Sequence, residues 1–105
     1  MKAIINGKRY DTENAVLIGS DSGGQGKRDF RWYEESLYKT KRSGAFFLAG
    51  EGGPMSRWAQ STGLNSWSSG GGILPLSREA ALEWAESALS ASEIEEHFSD
   101  QIEEA

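Results

Sequence analysis

The sequence predicts an α+β fold: a small antiparallel β-sheet built from hairpins, packed with two C-terminal α-helices, in a single domain over residues 1–105. Three observations predict it. Aromatic and β-branched runs alternate with Gly-, Ser- and Asn-rich turn signals as far as residue 76. Two serine caps then open segments whose apolar residues recur at helical spacing. Strand signals come first and helix signals last, the order of an α+β domain, and 105 residues is close to the commonest size of a single domain.

Ala3-Ile4-Ile5, Asn6-Gly7 and Lys8-Arg9-Tyr10 form the first unit. Asn-Gly is a strong hairpin signal because both central residues of a type I′ turn need positive φ. Thr12 is expected to cap a short helix through Glu13–Ile18 that ends at Gly19. Ser20 to Arg28 reads as a loop, with three glycines.

Phe30–Thr40 is expected as an aromatic strand that turns at Lys41-Arg42-Ser43-Gly44 and returns through Ala45–Ala49. Lys39, Lys41 and Arg42 at the tip guard that hairpin against edge-to-edge pairing. Met55–Gln60 is expected to hold one helical turn with Met55 and Trp58 buried. Ser61–Gly72 is rich in Ser and Gly, and Ile73-Leu74-Pro75-Leu76 reads as an edge strand, where proline is tolerated.

Ser77 is expected to cap a helix over about Arg78–Leu89. Ser92 and Glu95 have the spacing of a capping box for a second helix over about Glu93–Glu103. Ile94, Phe98 and Ile102, at i, i+4 and i+8, would form its buried stripe.

Charge divides along the chain. Residues 1–78 hold all eleven Lys and Arg against seven Asp and Glu, a net of +4. From Glu79 onward there are nine carboxylates and no Lys or Arg. On a helical wheel Glu79, Glu83 and Glu86 fall within about 60° of one another. In the second helix Glu93, Glu96, Asp100, Glu103 and Glu104 lie opposite the apolar stripe. Glu79–Glu83, Glu96–Asp100 and Asp100–Glu104 are like-charge i, i+4 pairs, each unfavourable by roughly 0.2–0.5 kcal/mol. These eight residues are the candidate partner-binding site, a negative surface shaped to sit where nucleic acid sits. A solvated face balanced by the basic body is the plainer use of the same charges.

Other chemistry finds less support. The absence of cysteine removes disulfides, thiolate metal sites and cysteine nucleophiles. The loop Gly19–Arg28 departs from the phosphate-loop spacing, with Asp21 at the first glycine position and Arg28 in place of the magnesium-binding hydroxyl. His97 is the single histidine, and no EF-hand spacing is present. Trp32, Trp58 and Trp67 stand among basic residues, where core packing is the commoner use of tryptophan than stacking on single-stranded nucleic acid. No catalytic residue, metal site or cofactor is expected. The N-terminus turns polar after five residues and no apolar span approaches membrane length, so the expectation is a soluble protein of the bacterial cytoplasm.

The segments MKAIINGKRYDTENA, ESLYKTKRSGAFFLAGEGGPMSRWA and ILPLSREAALEWAE, followed by EIEEHF, resemble a group of small phage and integrative-element proteins. Some members of that group resemble anti-CRISPR proteins against type I systems, type I-C among them. The resemblance implies a mobile-element origin and a short, non-enzymatic inhibitor that occupies the basic DNA-binding surface of a crRNA-guided complex. Its motifs are structural, so it carries no site residue across.

The expected function is therefore stoichiometric inhibition of a type I CRISPR surveillance complex by DNA mimicry. The expected partner is a CRISPR effector protein (a Cascade complex or its Cas8-like subunit) or another basic nucleic-acid-binding protein, with no direct binding to nucleic acid or membrane. Inhibition of another basic nuclease or restriction enzyme is the first alternative. A small nucleotide-binding enzyme using loop 19–28 is the second.

Overall fold

The computed structural model describes all of residues 1–105. Strands β1 (Lys2–Ile5) and β2 (Lys8–Asp11) form the N-terminal hairpin. Asn6 and Gly7 take φ of 52° and 76°, the left-handed turn that Asn-Gly predicts. The helix expected over 13–18 is absent. Asp11, not Thr12, caps a single 3-10 turn at Thr12–Asn14, its Oδ1 accepting the Glu13 N–H at 3.0 Å. The Thr12 hydroxyl is turned instead to the N-terminal ammonium, 2.9 Å away.

The chain then extends as β3 (Ala15–Gly23), taking in half of the expected loop. A contiguous apolar run with two β-branched residues satisfies either period, and pairing with β4 (Tyr33–Thr40) decides it. The register shifts between Leu17 and Gly19, leaving Ile18 as an extra residue turned into the core. Gly19 ends no helix: it lies beneath Leu89, whose Cδ2 would stand 2.5 Å from an added Cβ.

β4 pairs antiparallel with β5 (Phe46–Gly52), with Leu37 opposite Leu48, across the Gly44 turn. Phe30 and Trp32, expected within the strand, precede it. The helical turn expected at 55–60 is also absent. Gly53 and Met55 donate their N–H groups to the carbonyls of Trp32 and Phe30, at 2.9 and 2.8 Å, and so prolong the β4–β5 pairing. Met55 is left exposed, while Trp58 is buried as expected.

The Ser/Gly-rich segment forms a second hairpin, β6 (Gln60–Gly63) with β7 (Ser66–Ser68), turning at Asn65 with φ 61°. Every residue from Gln60 to Trp67 is exposed, so turn chemistry rather than burial makes this finger. β8 (Gly70–Leu76) completes a four-stranded sheet of order β3-β4-β5-β8. It is an edge strand, as Pro75 requires.

Ser77 caps α1 (Arg78–Ala88), accepting the Ala80 N–H at 3.1 Å. The second cap is two residues earlier than Ser92 and Glu95 predicted: Ser90 and Glu93 form the reciprocal box, and α2 runs Ala91–Phe98. Both pairs have the same spacing. Helix α2 then gives way to a 3-10 turn at Ser99–Gln101 instead of continuing to 103. Phe98 is fully buried and stacks on Phe46 at 5.2 Å, Ile94 is partly buried, and Ile102 is exposed, so the expected stripe ends at Phe98.

Both faces of the sheet are covered in part. Leu37, Leu48, Phe46 and Ile18 on one face pack with Ala81, Trp84, Ala85 and Phe98 from the helices. On the other face, Phe47 meets Tyr10 of the N-terminal hairpin edge-on at 5.4 Å. Gly50 sits opposite Glu35, and an added Cβ would lie 2.5 Å from the Glu34 carbonyl oxygen and 2.8 Å from Glu35 Cβ. Neighbouring-strand backbone cannot yield as a side-chain tip can. Gly50→Ala is expected to cost about 1–3 kcal/mol, read as a lowered urea midpoint at unchanged m-value.

Candidate functional site

The two helices bring the predicted carboxylates to the surface. Glu79, Glu83, Glu86, Glu93 and Glu96 are exposed because Ala81, Trp84, Ala85 and Phe98 claim the sheet-facing side of each helix. Asp100 in the 3-10 turn and Glu103 and Glu104 in the tail are exposed too, but lie beyond the end of α2 and not on its expected face. They are not equivalent. Asp100 is bound by the Arg78 guanidinium, which holds its carboxyl below the ordinary range. Glu93 belongs to the capping box, where the Ser90 N–H and hydroxyl lower its pKa. Glu96 lies 3.9 Å from His97. Glu79, Glu83, Glu86, Glu103 and Glu104 have no ion-pair partner.

Nor do they form one continuous stripe. Glu86 of α1, Glu95 of α2 and Glu103 of the tail line a shallow groove of about 320 Å³ with Leu82, Ile94 and Ile102. Glu95 was not among the residues of the expected acidic face; it follows Ile94 and borders the apolar seam. Glu83 lies on the other flank of α1, across a groove from Arg57. The acidic surface is thus two-flanked, with an apolar seam between the helices.

The most constrained polar group in the molecule is one the sequence reading passed over. Glu35, on the core-facing side of β4, has a side chain only 3% exposed. Its Oε1 accepts the Trp58 indole N–H at 3.0 Å and lies 3.4 Å from Arg57 Nε. Its Oε2 accepts the Trp84 indole N–H at 2.6 Å. One carboxylate therefore ties β4, the 53–59 turn and α1 together. Burial of a carboxylate demands such partners. The strand phase held the signal: Tyr33, Glu35 and Leu37 alternate inward, so a charge at 35 had to be buried and matched.

Beside it, residues 24–32 make a turn-rich crossing into β4, with Gly24 and Gly26 at φ of 87° and 91°. No helix N-terminus stands over this loop, so the amide cradle of a phosphate loop is not assembled. The Asp29 carboxylate organises the turn instead, accepting the N–H groups of Arg31 and Gln25 at 2.9 and 3.2 Å. Of the four tryptophans, Trp32, Trp58 and Trp84 are buried and Trp67 is exposed on the β6–β7 finger with Leu64. No group of three or more His, Asp or Glu side chains converges closely enough to hold a metal ion. No helix is long and apolar enough to cross a membrane.

These environments set a pH profile. Asp11, Asp29, Glu93 and Asp100 all fall below their ordinary 3.8 or 4.5. The first-ranked causes are amide donors for Asp11, Asp29 and Glu93, and the Arg78 hydrogen bond for Asp100. A lowered folded-state pKa contributes stability that is full above the unfolded value and lost as pH falls through the folded one. Tyr33 is raised above 10.0, first by donating its hydroxyl to Asp21 at 2.9 Å and then by burial. Its contribution is full below 10.0 and lost above the folded value. Melting temperature is expected to be flat between these limits, falling below 4.5 and again above 10.0. A scan of melting temperature against pH checks this.

No protein-family model, curated protein or solved structure matches the chain.

Proposed function

We propose that this protein is an anti-CRISPR inhibitor that occupies the basic DNA- and PAM-binding surface of a type I CRISPR surveillance complex with its acidic helical pair. The observation that carries the reading is the unpaired negative surface: exposed Glu79, Glu83, Glu86, Glu95, Glu103 and Glu104, with no Lys or Arg after Arg78. An ordinary solvated helix interleaves lysines and gains from i, i+4 pairing; this one accepts repulsion instead. Lysines and arginines that grip DNA would meet carboxylates here, with Leu82, Ile94 and Ile102 in the seam supplying apolar contact. Such an interface gains on-rate and specificity more than raw affinity.

The resemblance of the chain to mobile-element proteins supports a phage or integrative-element origin and a target inside the bacterial host. The inhibition is stoichiometric, and the protein leaves the complex chemically unchanged. Pull-down from a CRISPR-bearing host identifies the partner, and competition against target DNA tests the mechanism. Saturating protein should block DNA binding, prebound DNA should block the protein, and affinity should fall steeply with salt as exposed charges are screened over about 8 Å. Simultaneous binding of DNA and protein would overturn the mimic. Capture of a restriction enzyme or another nuclease would move the same chemistry to a different target.

A further inference from the structure

A second surface differs from the acidic one in every respect. Phe30 and Met55 are 64% and 62% exposed, and the Met55 N–H binds the Phe30 carbonyl at 2.8 Å, so two large apolar side chains sit on directly paired backbone. The frame beneath them is stiff. Asp29 closes the turn through two amides, the Trp32 N–H donates to the Asp29 carbonyl at 3.1 Å, and Trp32 is itself buried. Exposed apolar groups already held in place lose little freedom when a partner covers them.

The anions around this pair are engaged: buried Glu35 by two indoles and Arg57, half-buried Asp21 by the Tyr33 hydroxyl, and half-buried Asp29 by two amides. The cations point outward. Lys27, Arg28 and Arg31 are exposed and make no ion pair, and Arg57 is half exposed beside Glu35. Arg31, Arg57 and Met55 share one groove of about 400 Å³, whose wall also holds Tyr33, Trp84 and the engaged carboxylates of Asp21 and Glu35. A partner approaching here meets an apolar centre and a positive rim.

We propose that the Phe30–Met55 surface, rimmed by Arg28, Arg31 and Arg57, is a docking surface for an acidic segment of a partner protein that carries an apolar side chain. Aromatic, methionine and arginine side chains are the residues enriched at protein interfaces, and arginine takes carboxylates in a bidentate fork. Charge complementarity selects the acidic partner. Single-stranded nucleic acid fits less well: Trp32 and Trp58 are buried, which leaves Phe30 without a second stacking platform. Trp84 of α1 lines its groove, but none of the carboxylates on which the proposed function rests belongs to this surface.

The test is a ¹⁵N NMR titration of the full chain with the peptide acetyl-EEFEE-amide, alongside acetyl-KKFKK-amide and a ten-nucleotide oligo-dT. The acidic peptide is expected to shift the Arg57 Nε–H, the Trp84 indole N–H and the Phe30 and Met55 amides, and the basic peptide to leave them unmoved. Arg31→Glu should weaken that binding about tenfold or more. The Arg31 side chain makes no bond within the fold, so unchanged Trp58 and Trp84 indole resonances will show that the variant is folded. Phe30→Ser should weaken binding as well. Resonances unmoved by the acidic peptide, or moved equally in Arg31→Glu, overturn the proposal. Stronger shifts with oligo-dT than with the peptide overturn it in favour of nucleic acid.

Discussion

Glu35→Ala is expected to destabilise the protein by about 4 kcal/mol, a large share of the roughly 5–15 kcal/mol that holds a domain together. The substitution leaves the Trp58 and Trp84 indole N–H groups buried with no acceptor and Arg57 with no counter-charge. Each orphaned buried donor costs about 1–3 kcal/mol. Glu35→Gln should fall between parent and alanine, since its amide oxygen serves one indole while its NH₂ confronts the other. A double-mutant cycle separates this account from simple loss of packing. Trp84→Phe alone strands Glu35 Oε2, yet in the Glu35→Ala background it removes an orphan donor. The second effect is therefore expected to be smaller than the first, with a coupling of about 0.5–3 kcal/mol. Urea unfolding followed by tryptophan fluorescence gives all four corners. An alanine variant within about 1 kcal/mol of the parent would show that the carboxylate does not hold the layers together.

Reversal of Glu79, Glu83, Glu86 and Glu96 to lysine is expected to abolish inhibition while leaving the protein folded. Each substitution moves the net charge by two units from its value of −5, and each places a like charge against the cations of the proposed target. Juxtaposed like charges cost several kcal/mol across an interface, so affinity should fall by about a hundredfold or more. The set deliberately omits two of the exposed carboxylates. Asp100→Lys would set an ammonium against Arg78, and Glu93→Lys would remove one arm of the capping box at about 1 kcal/mol. Within the set Glu83 faces Arg57 across the groove and Glu96 lies 3.9 Å from His97, and exposed pairs of that kind are worth tenths of a kcal/mol. Because Glu79, Glu83 and Glu86 are reversed together, their like-charge pairs become lysine pairs rather than disappearing, so the melting temperature should change little. A folded quadruple variant that still inhibits would falsify the mimic, and DNA-binding assays beside inhibition assays would then point to another step.

Several features were legible in the chain because their causes are local. Positive φ at two consecutive positions selects Asn6-Gly7 whatever the rest of the molecule does. Ser77 caps a helix because its hydroxyl reaches an amide three residues ahead. The aromatic run and its return across Gly44 pair because both are short, apolar and joined by a turn. The exposure of the acidic residues followed from the apolar spacing of α1 and α2, since a helix that buries Trp84 or Phe98 must turn its other side to water.

The remaining features depended on contacts between distant residues. Ser90–Glu93 and Ser92–Glu95 offer the same capping chemistry, and Phe98 against Phe46 accompanies the choice of the first. Ala15–Ile18 satisfies helix and strand alike until β4 supplies partners for its amides. Strand phase turns Glu35 inward, but its partners are two tryptophans 23 and 49 residues away, which only the fold brings to it. Met55 reads as core until its backbone pairs with that of Phe30 and leaves both side chains in water. Propensity and capping act within a few residues, whereas burial and the pairing of buried charge depend on which segments meet. By itself, then, the sequence determined the turns, the caps, the class of fold and the side of each helix that faces solvent. Only the tertiary structure decided which carboxylate is locked inside and which apolar side chains remain outside, because both are settled by partners far along the chain.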